Sequence, residues 1–347
     1  MKQFWNSALM LTLILLSGLG TAQAQKTKMK EVVLFKTLSH TSPDGKYTYF
    51  TVSGDPLNTR IYTLKNGLSI YLTVNKSEPR IQTNIAVRTG SNNDPKDCTG
   101  LAHYLEHLLF KGTDRYGSLD YAKEKPLLDQ IEALYEQYRG TTDESKRAQI
   151  YAQIDKVSGE AAKFAIANEY DKMLAAIGAK GTNAYTSVER TVYINDIPSN
   201  MIGKWLTIEG ERFRNPVLRL FHTELEAVYE EKNISLDNDS RAAYTLMMEK
   251  LFPTHNYGQQ TTIGTVEHLK NPSIKKIKEY YGNYYVPNNM AICLSGDFDP
   301  DQVVQLIDQQ FGSFQTKPVT PYNGPTEVPI AGIERGEVVG PEAAFVT

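Results

Sequence analysis

The sequence predicts an α+β fold: a two-layer α/β roll in which a largely antiparallel sheet packs against helices. Two observations carry that expectation. Stretches with helical spacing of apolar residues alternate with short β-rich stretches, without internal repeat or low-complexity tract, and hairpin signals outnumber clean βαβ units. The composition, 41% hydrophobic and 22% charged over 347 residues, is that of a globular chain with a real core.

Taken in order, Met1-Lys2-Gln3, the apolar run Ala8 to Leu19 and Ala22-Gln23-Ala24 have the charge, core and small-residue pattern of a secretory signal peptide over residues 1–24. A mature chain starting at Gln25 and exported to the periplasm or beyond a bacterial cell is expected. The run is shorter than the ~20 apolar residues of a spanning helix, so no stable membrane anchor is expected. No cysteine follows it to accept a lipid. Residues 25–60 read as an N-terminal extension, and the roll is expected over 61–318.

The roll opens with β-formers from Ile61 to Val74, turned at Asn66-Gly67, and from Ile81 to Val87. A helix follows from Thr99 or Gly100 to near Gly112. Leu119 to Ala179 is helix-like, with Leu127, Ile131, Leu134 and then Ile150, Ile154, Val157 at three- or four-residue spacing, interrupted at Gly140-Thr141-Thr142; a helical hairpin is expected there. Strand character returns over Ala184 to Ile197. Helices are expected at Ile202 to Arg214, from His222 onward, near Ile274 to Tyr281 and at Pro300 to Phe311, with a strand at Met290 to Ser295. Residues 319–347 read as a linker entering a truncated second roll.

Lys and Arg number 37 against 40 Asp and Glu, a formal charge of −3, which gives no reason to expect nucleic acid as a partner. The two cysteines, Cys98 and Cys293, are no disulfide framework, and the sequence leaves their pairing open. Cys293 sits in an apolar stretch that reads as a buried strand.

His103-Tyr104-Leu105-Glu106-His107 is the sharpest feature. On a helix, at about 100° per residue, residues 103, 106, 107 and 110 share one face, while Leu101, Leu105, Leu108 and Leu109 share the other. Histidines four apart can present imidazole nitrogens to one zinc ion, and Glu106 is placed to accept a proton from a zinc-bound water. This is the H-x-x-E-H order of the inverzincins. A catalytic zinc that keeps a position for water needs a third ligand. Glu224 and Glu231 lie seven apart, two helical turns along one face with Ala227 and Val228, whereas Glu226 and Glu230 point roughly the other way. That face reads as buried, which makes Glu231 the ligand and Glu224 a group that orients a ligand. His222 and His255 are weaker candidates and read as ordinary polar residues.

These segments resemble the pitrilysin/insulinase family of metallopeptidases. The matching stretches are Leu64 to Leu68, Gly100 to His107 with Lys111-Gly112-Thr113, Asn183-Ala184-Tyr185-Thr186-Ser187, the Glu224 to Glu231 helix, and Tyr284 to Met290 leading to Gly296-Asp297-Phe298. They run in the family's order from about Thr63 to Phe314. The resemblance implies Zn2+ held by His103, His107 and Glu231, with Glu106 as general base and Glu224 in support. It also implies that Asn183, Ala184 and Tyr185 belong to an edge strand against which an extended peptide adds. The gap from His107 to Glu231 is longer than the family's, and an insertion over about 119–179 accounts for the excess. The function so implied is zinc-dependent endopeptidase action on peptides or unfolded segments. The alternative is a noncatalytic or truncated subunit that binds zinc and peptide but needs a C-terminal half or a second chain of the same kind.

Overall fold

The computed structural model describes residues 35–340, so the expected signal peptide lies outside the described residues. Among the described residues eight strands form one sheet: β1 (Thr37–Thr41), β2 (Thr48–Val52), β3 (Arg60–Thr63), β4 (Ser69–Val74), β5 (Arg80–Val87), β6 (Lys180–Thr186), β7 (Thr191–Pro198) and β8 (Met290–Gly296). Their order is β1-β2-β3-β4-β8-β5-β7-β6, and only the β4–β8 pair is parallel. The sheet is therefore largely antiparallel with helices packed on it, as expected for an α+β roll.

The reason lies in the strand alternation. In β5 the residues Ile81, Thr83, Ile85 and Val87 are buried while their neighbours stay accessible, and β8 repeats this with Met290, Ile292 and Leu294. One face is thus committed to the core and the other to solvent. The helices are α1 (Leu101–Leu108), α2 (Tyr121–Gly140), α3 (Glu144–Ala162), α4 (Glu169–Ala176), α5 (Ile202–Arg214), α6 (Phe221–Leu236), α7 (Asp239–Leu251), α8 (Asn256–Gln259), α9 (Val266–Leu269), α10 (Ile274–Tyr284) and α11 (Pro300–Phe311), of which α1, α4, α5 and α11 lie directly against strands.

Several elements depart from the sequence reading. From Thr37, the segment read as an extension supplies the β1–β2 hairpin at one sheet edge; its residues are exposed or half-buried, so it lacks the apolar alternation that marks a core strand. The strand expected over Ala184 to Ile197 is a hairpin of β6 and β7, closed by Ser187 N–H donating to Arg190 O at 2.8 Å. Its turn, Ser187-Val188-Glu189-Arg190, carries neither Gly nor Pro, the residues that announce a turn. α7 went unread because none of its residues is buried, which leaves no apolar stripe. The helical hairpin is α2 and α3, each started by an aspartate that accepts a backbone N–H, Asp120 from Lys123 and Asp143 from Lys146. Beyond Phe314 no helix or strand is formed up to Gly340. Among the described residues no helix is long and apolar enough to cross a membrane.

Candidate metal centre

α1 lies against β6 on one side and α6 on the other. Leu101, Leu105, Leu108 and Leu109 are buried, so the hydrophobic face fixes the roll of α1 and turns His103, Glu106 and His107 toward α6 and β6. Gly100 starts the helix with φ 84, and a Cβ there would stand 2.5 Å from Ile263 O. Glycine alone combines that conformation with that approach. The cap comes from upstream: buried Asp94 accepts from Gly100 N at 2.8 Å and Ala102 N at 2.9 Å. Nothing in the sequence singled out Asp94 beyond its place in a turn-rich stretch. Asp94→Ala is expected to cost about 1–2 kcal/mol by loss of the cap and to weaken metal binding with it; urea unfolding and a zinc titration check both.

His103, His107 and Glu231 come together, each offering a ligand atom within 4.8 Å of the others. Glu231 Oε2 lies 3.6 Å from His103 Nε2 and 3.7 Å from His107 Nε2. Ligand atoms on one tetrahedral zinc with bonds of ~2.0–2.1 Å stand about 3.4 Å apart, so the donor types and the two carboxylate-to-imidazole spacings suit that ion. Burial pushes His103 down to about 4, with His107 and Arg241 adding repulsion, so the imidazole is held neutral as a ligand must be.

The Glu224–Glu231 face of α6 differs from its sequence reading in one respect. Val228 is buried, but Ala227 is exposed and the Glu231 side chain is 48% accessible. Glu231 reaches His103 and His107 because α6 runs beside α1, and its face opens to solvent there instead of closing into the core. Glu224 stands behind His107, its Oε2 3.7 Å from Nδ1, and its Oε1 takes an ion pair from Lys111 at 2.7 Å. Burial pushes its carboxyl up, but His107 and Lys111 outweigh this and hold it below the ordinary range. A carboxylate behind a ligating imidazole fixes its orientation and raises its basicity. Glu224→Gln is expected to weaken zinc binding about 10–100-fold, as read by competition with a chelating dye.

Glu106 is buried, and Thr186 Oγ1 donates to its Oε2 at 2.5 Å. Burial raises the carboxyl, Thr186 and His107 lower it, Glu231 raises it, and the balance is upward. A raised carboxyl is suited to take a proton and give it back. The Thr186 contact was not foreseen; Thr186 stood in the Asn183 to Ser187 stretch without a role.

Asn183, Ala184 and Tyr185 lie in β6, which is an edge of the sheet. Alternation separates them: Ala184 packs toward the core with Thr186 on the α1 side, while Asn183 and Tyr185 are exposed on the other face. Anything these two offered a strand pairing with β6 would be backbone. His222 is buried, with Nδ1 2.7 Å from the Tyr135 hydroxyl, and His255 caps α8; neither is in the metal group. Cys98 and Cys293 are free thiols, both raised by burial.

Residues 70–128 match the family model described as Insulinase (Peptidase family M16), and residues 273–343 match the one described as Peptidase M16 inactive domain. Among curated relatives, the uncharacterized zinc protease YmxG of Bacillus subtilis is 21% identical, over 74% of this chain and 50% of its own length. The probable zinc protease PqqL of Haemophilus influenzae is 24% identical over 74% and 23%, and the insulin-degrading enzyme of Mus musculus 24% over 74% and 21%. The chain thus spans half or less of the length of these relatives. A protease from Helicobacter pylori superposes with a TM-score of 0.56 at 23% identity, over 77% of this chain and 54% of the other. Pitrilysin superposes with a TM-score of 0.57 at 18% identity, over 82% and 25%. Both likenesses concern the fold.

Proposed function

The chain belongs to the pitrilysin/insulinase family, whose matched relatives are zinc proteases, and on that premise we propose that it is the zinc-binding part of an endopeptidase acting on peptides or unfolded segments. The observation that carries the reading is the convergence of His103, His107 and Glu231 beside a buried Glu106 and an open sheet edge. Zinc held there would supply a Lewis acid for a scissile carbonyl and for water. Glu106 accepts the attacking water's proton and returns it to the leaving amine. β6 offers its unpaired edge to the substrate backbone, which suits broad peptide recognition because the pairing needs no particular side chain. Export, supported by the pattern of residues 1–24, places the peptides outside the cytosol in this proposal.

Metal analysis of the purified chain, with hydrolysis of a quenched fluorescent peptide library, tests this. One zinc per chain is expected, with turnover abolished by a chelator and restored by zinc; a chain without stoichiometric zinc overturns the site assignment. A second reading, a zinc- and peptide-binding subunit that needs another half or chain, is favoured by the match of residues 273–343 to the family model described as Peptidase M16 inactive domain. Zinc without turnover, regained on adding the remaining half, selects it.

A further inference from the structure

We propose that Thr186 is a positioning residue, tying the general base to the strand edge that receives the peptide; this rests on the peptidase reading above. Thr186 is the last residue of β6, and its hydroxyl donates to Glu106 Oε2 on α1. No other hydrogen bond to the Glu106 side chain is formed among the described residues, so this single contact sets the rotation of the carboxylate and leaves Oε1 available for chemistry.

The hydroxyl is itself rigidly placed. Thr186 pairs with Thr191 across the hairpin, whose hydroxyl donates to Thr89 O at 3.2 Å, and the next residue closes the turn through Ser187 N–H to Arg190 O. Behind the turn Gly90 packs so closely that a Cβ there would stand 2.1 Å from Ser187 O. The end of β6 is therefore clamped to the loop that leads into α1, and the carboxylate inherits the clamp. A sheet edge and a base on separate elements would otherwise move independently. Here the threonine makes them one unit, so a peptide pairing along β6 is aligned with Glu106 by the same strand that binds it. Reacting groups must be held to within a fraction of an ångström for full effect. Loss of the hydroxyl should therefore lower kcat without weakening peptide or zinc binding.

The test compares Thr186→Val, which keeps the shape and removes the donor, with Thr186→Ser, which keeps the donor. A drop in kcat of about 10–100-fold is expected for the valine variant, with KM and zinc affinity unchanged and the serine variant close to the parent. In a Glu106→Gln background the valine substitution should have no further effect, because Thr186 acts only through Glu106. A crystal structure of the zinc-loaded valine variant should show the Glu106 carboxylate rotated from its parent position, and this readout does not depend on turnover. Should valine disturb the strand end, Thr186→Ala gives the same comparison. An unmoved carboxylate, or equal losses in serine and valine variants, overturns the proposal. A parent chain that hydrolyses nothing removes the peptidase reading instead, and the carboxylate position then decides on Thr186 alone.

Discussion

Glu106→Gln is expected to retain zinc and to lose turnover by about 10²–10⁴-fold. Glutamine keeps the volume of the side chain and an oxygen that can still accept from Thr186, so the packing of α1 and the spacing of His103, His107 and Glu231 are preserved. What it cannot do is take a proton from water. The loss falls on kcat, since no ligand atom and no edge of β6 is altered. Zinc content measured beside single-turnover hydrolysis separates the two effects: zinc lost with activity would make Glu106 a structural support of the site, and activity retained would assign the base elsewhere.

The arrangement of side chains on α1 was legible because its pattern is local. His103, Glu106 and His107 fall on one helical face by spacing alone, and the leucines opposite say which face is buried. Glu231 was reachable through the same periodicity on α6, though the sequence does not show that this face opens to solvent where it meets the two histidines instead of packing into the core. Thr186 and Asp94 were not legible, because each acts on a partner distant in sequence or through backbone atoms that carry no side-chain signature. Thr186 meets a glutamate eighty positions earlier, and Asp94 reaches past a turn to cap a helix whose own cap position is glycine. The β1–β2 hairpin and α7 were missed for a different reason: neither buries a stripe of side chains, and periodicity is visible only where one face is apolar.

Arg219→Met is expected to destabilise the zinc-free chain by about 3–5 kcal/mol, the range for breaking a buried charge pair. Arg219 and Glu124 are each about 1% accessible, joined by Nε to Oε1 at 2.9 Å and Nη2 to Oε2 at 3.1 Å. The remaining N–H groups donate to Lys111 O at 2.8 Å, Tyr116 O at 3.2 Å and Thr113 O at 2.8 Å. One guanidinium therefore ties together the loop after α1, the start of α2 and the segment entering α6. Gly112 and Gly117 allow the approach, since a Cβ at either would stand 2.7 or 2.6 Å from Nη1. Methionine fills most of the volume but leaves Glu124 buried without a counterion and the Lys111 and Thr113 carbonyls short of a donor, while Tyr116 O keeps the Thr113 N–H at 2.9 Å. Chemical denaturation of the chelated chain reads the cost, and Arg219→Met with Glu124→Leu should recover part of it, because the stranded charge is gone while the carbonyls remain unpaired. The damage should also reach the metal. The loop that Arg219 holds delivers Lys111 to Glu224, and Glu224 stands behind His107, so zinc affinity should fall together with stability. A variant that loses stability at unchanged zinc affinity would show instead that Glu224 keeps its place behind His107 without this loop.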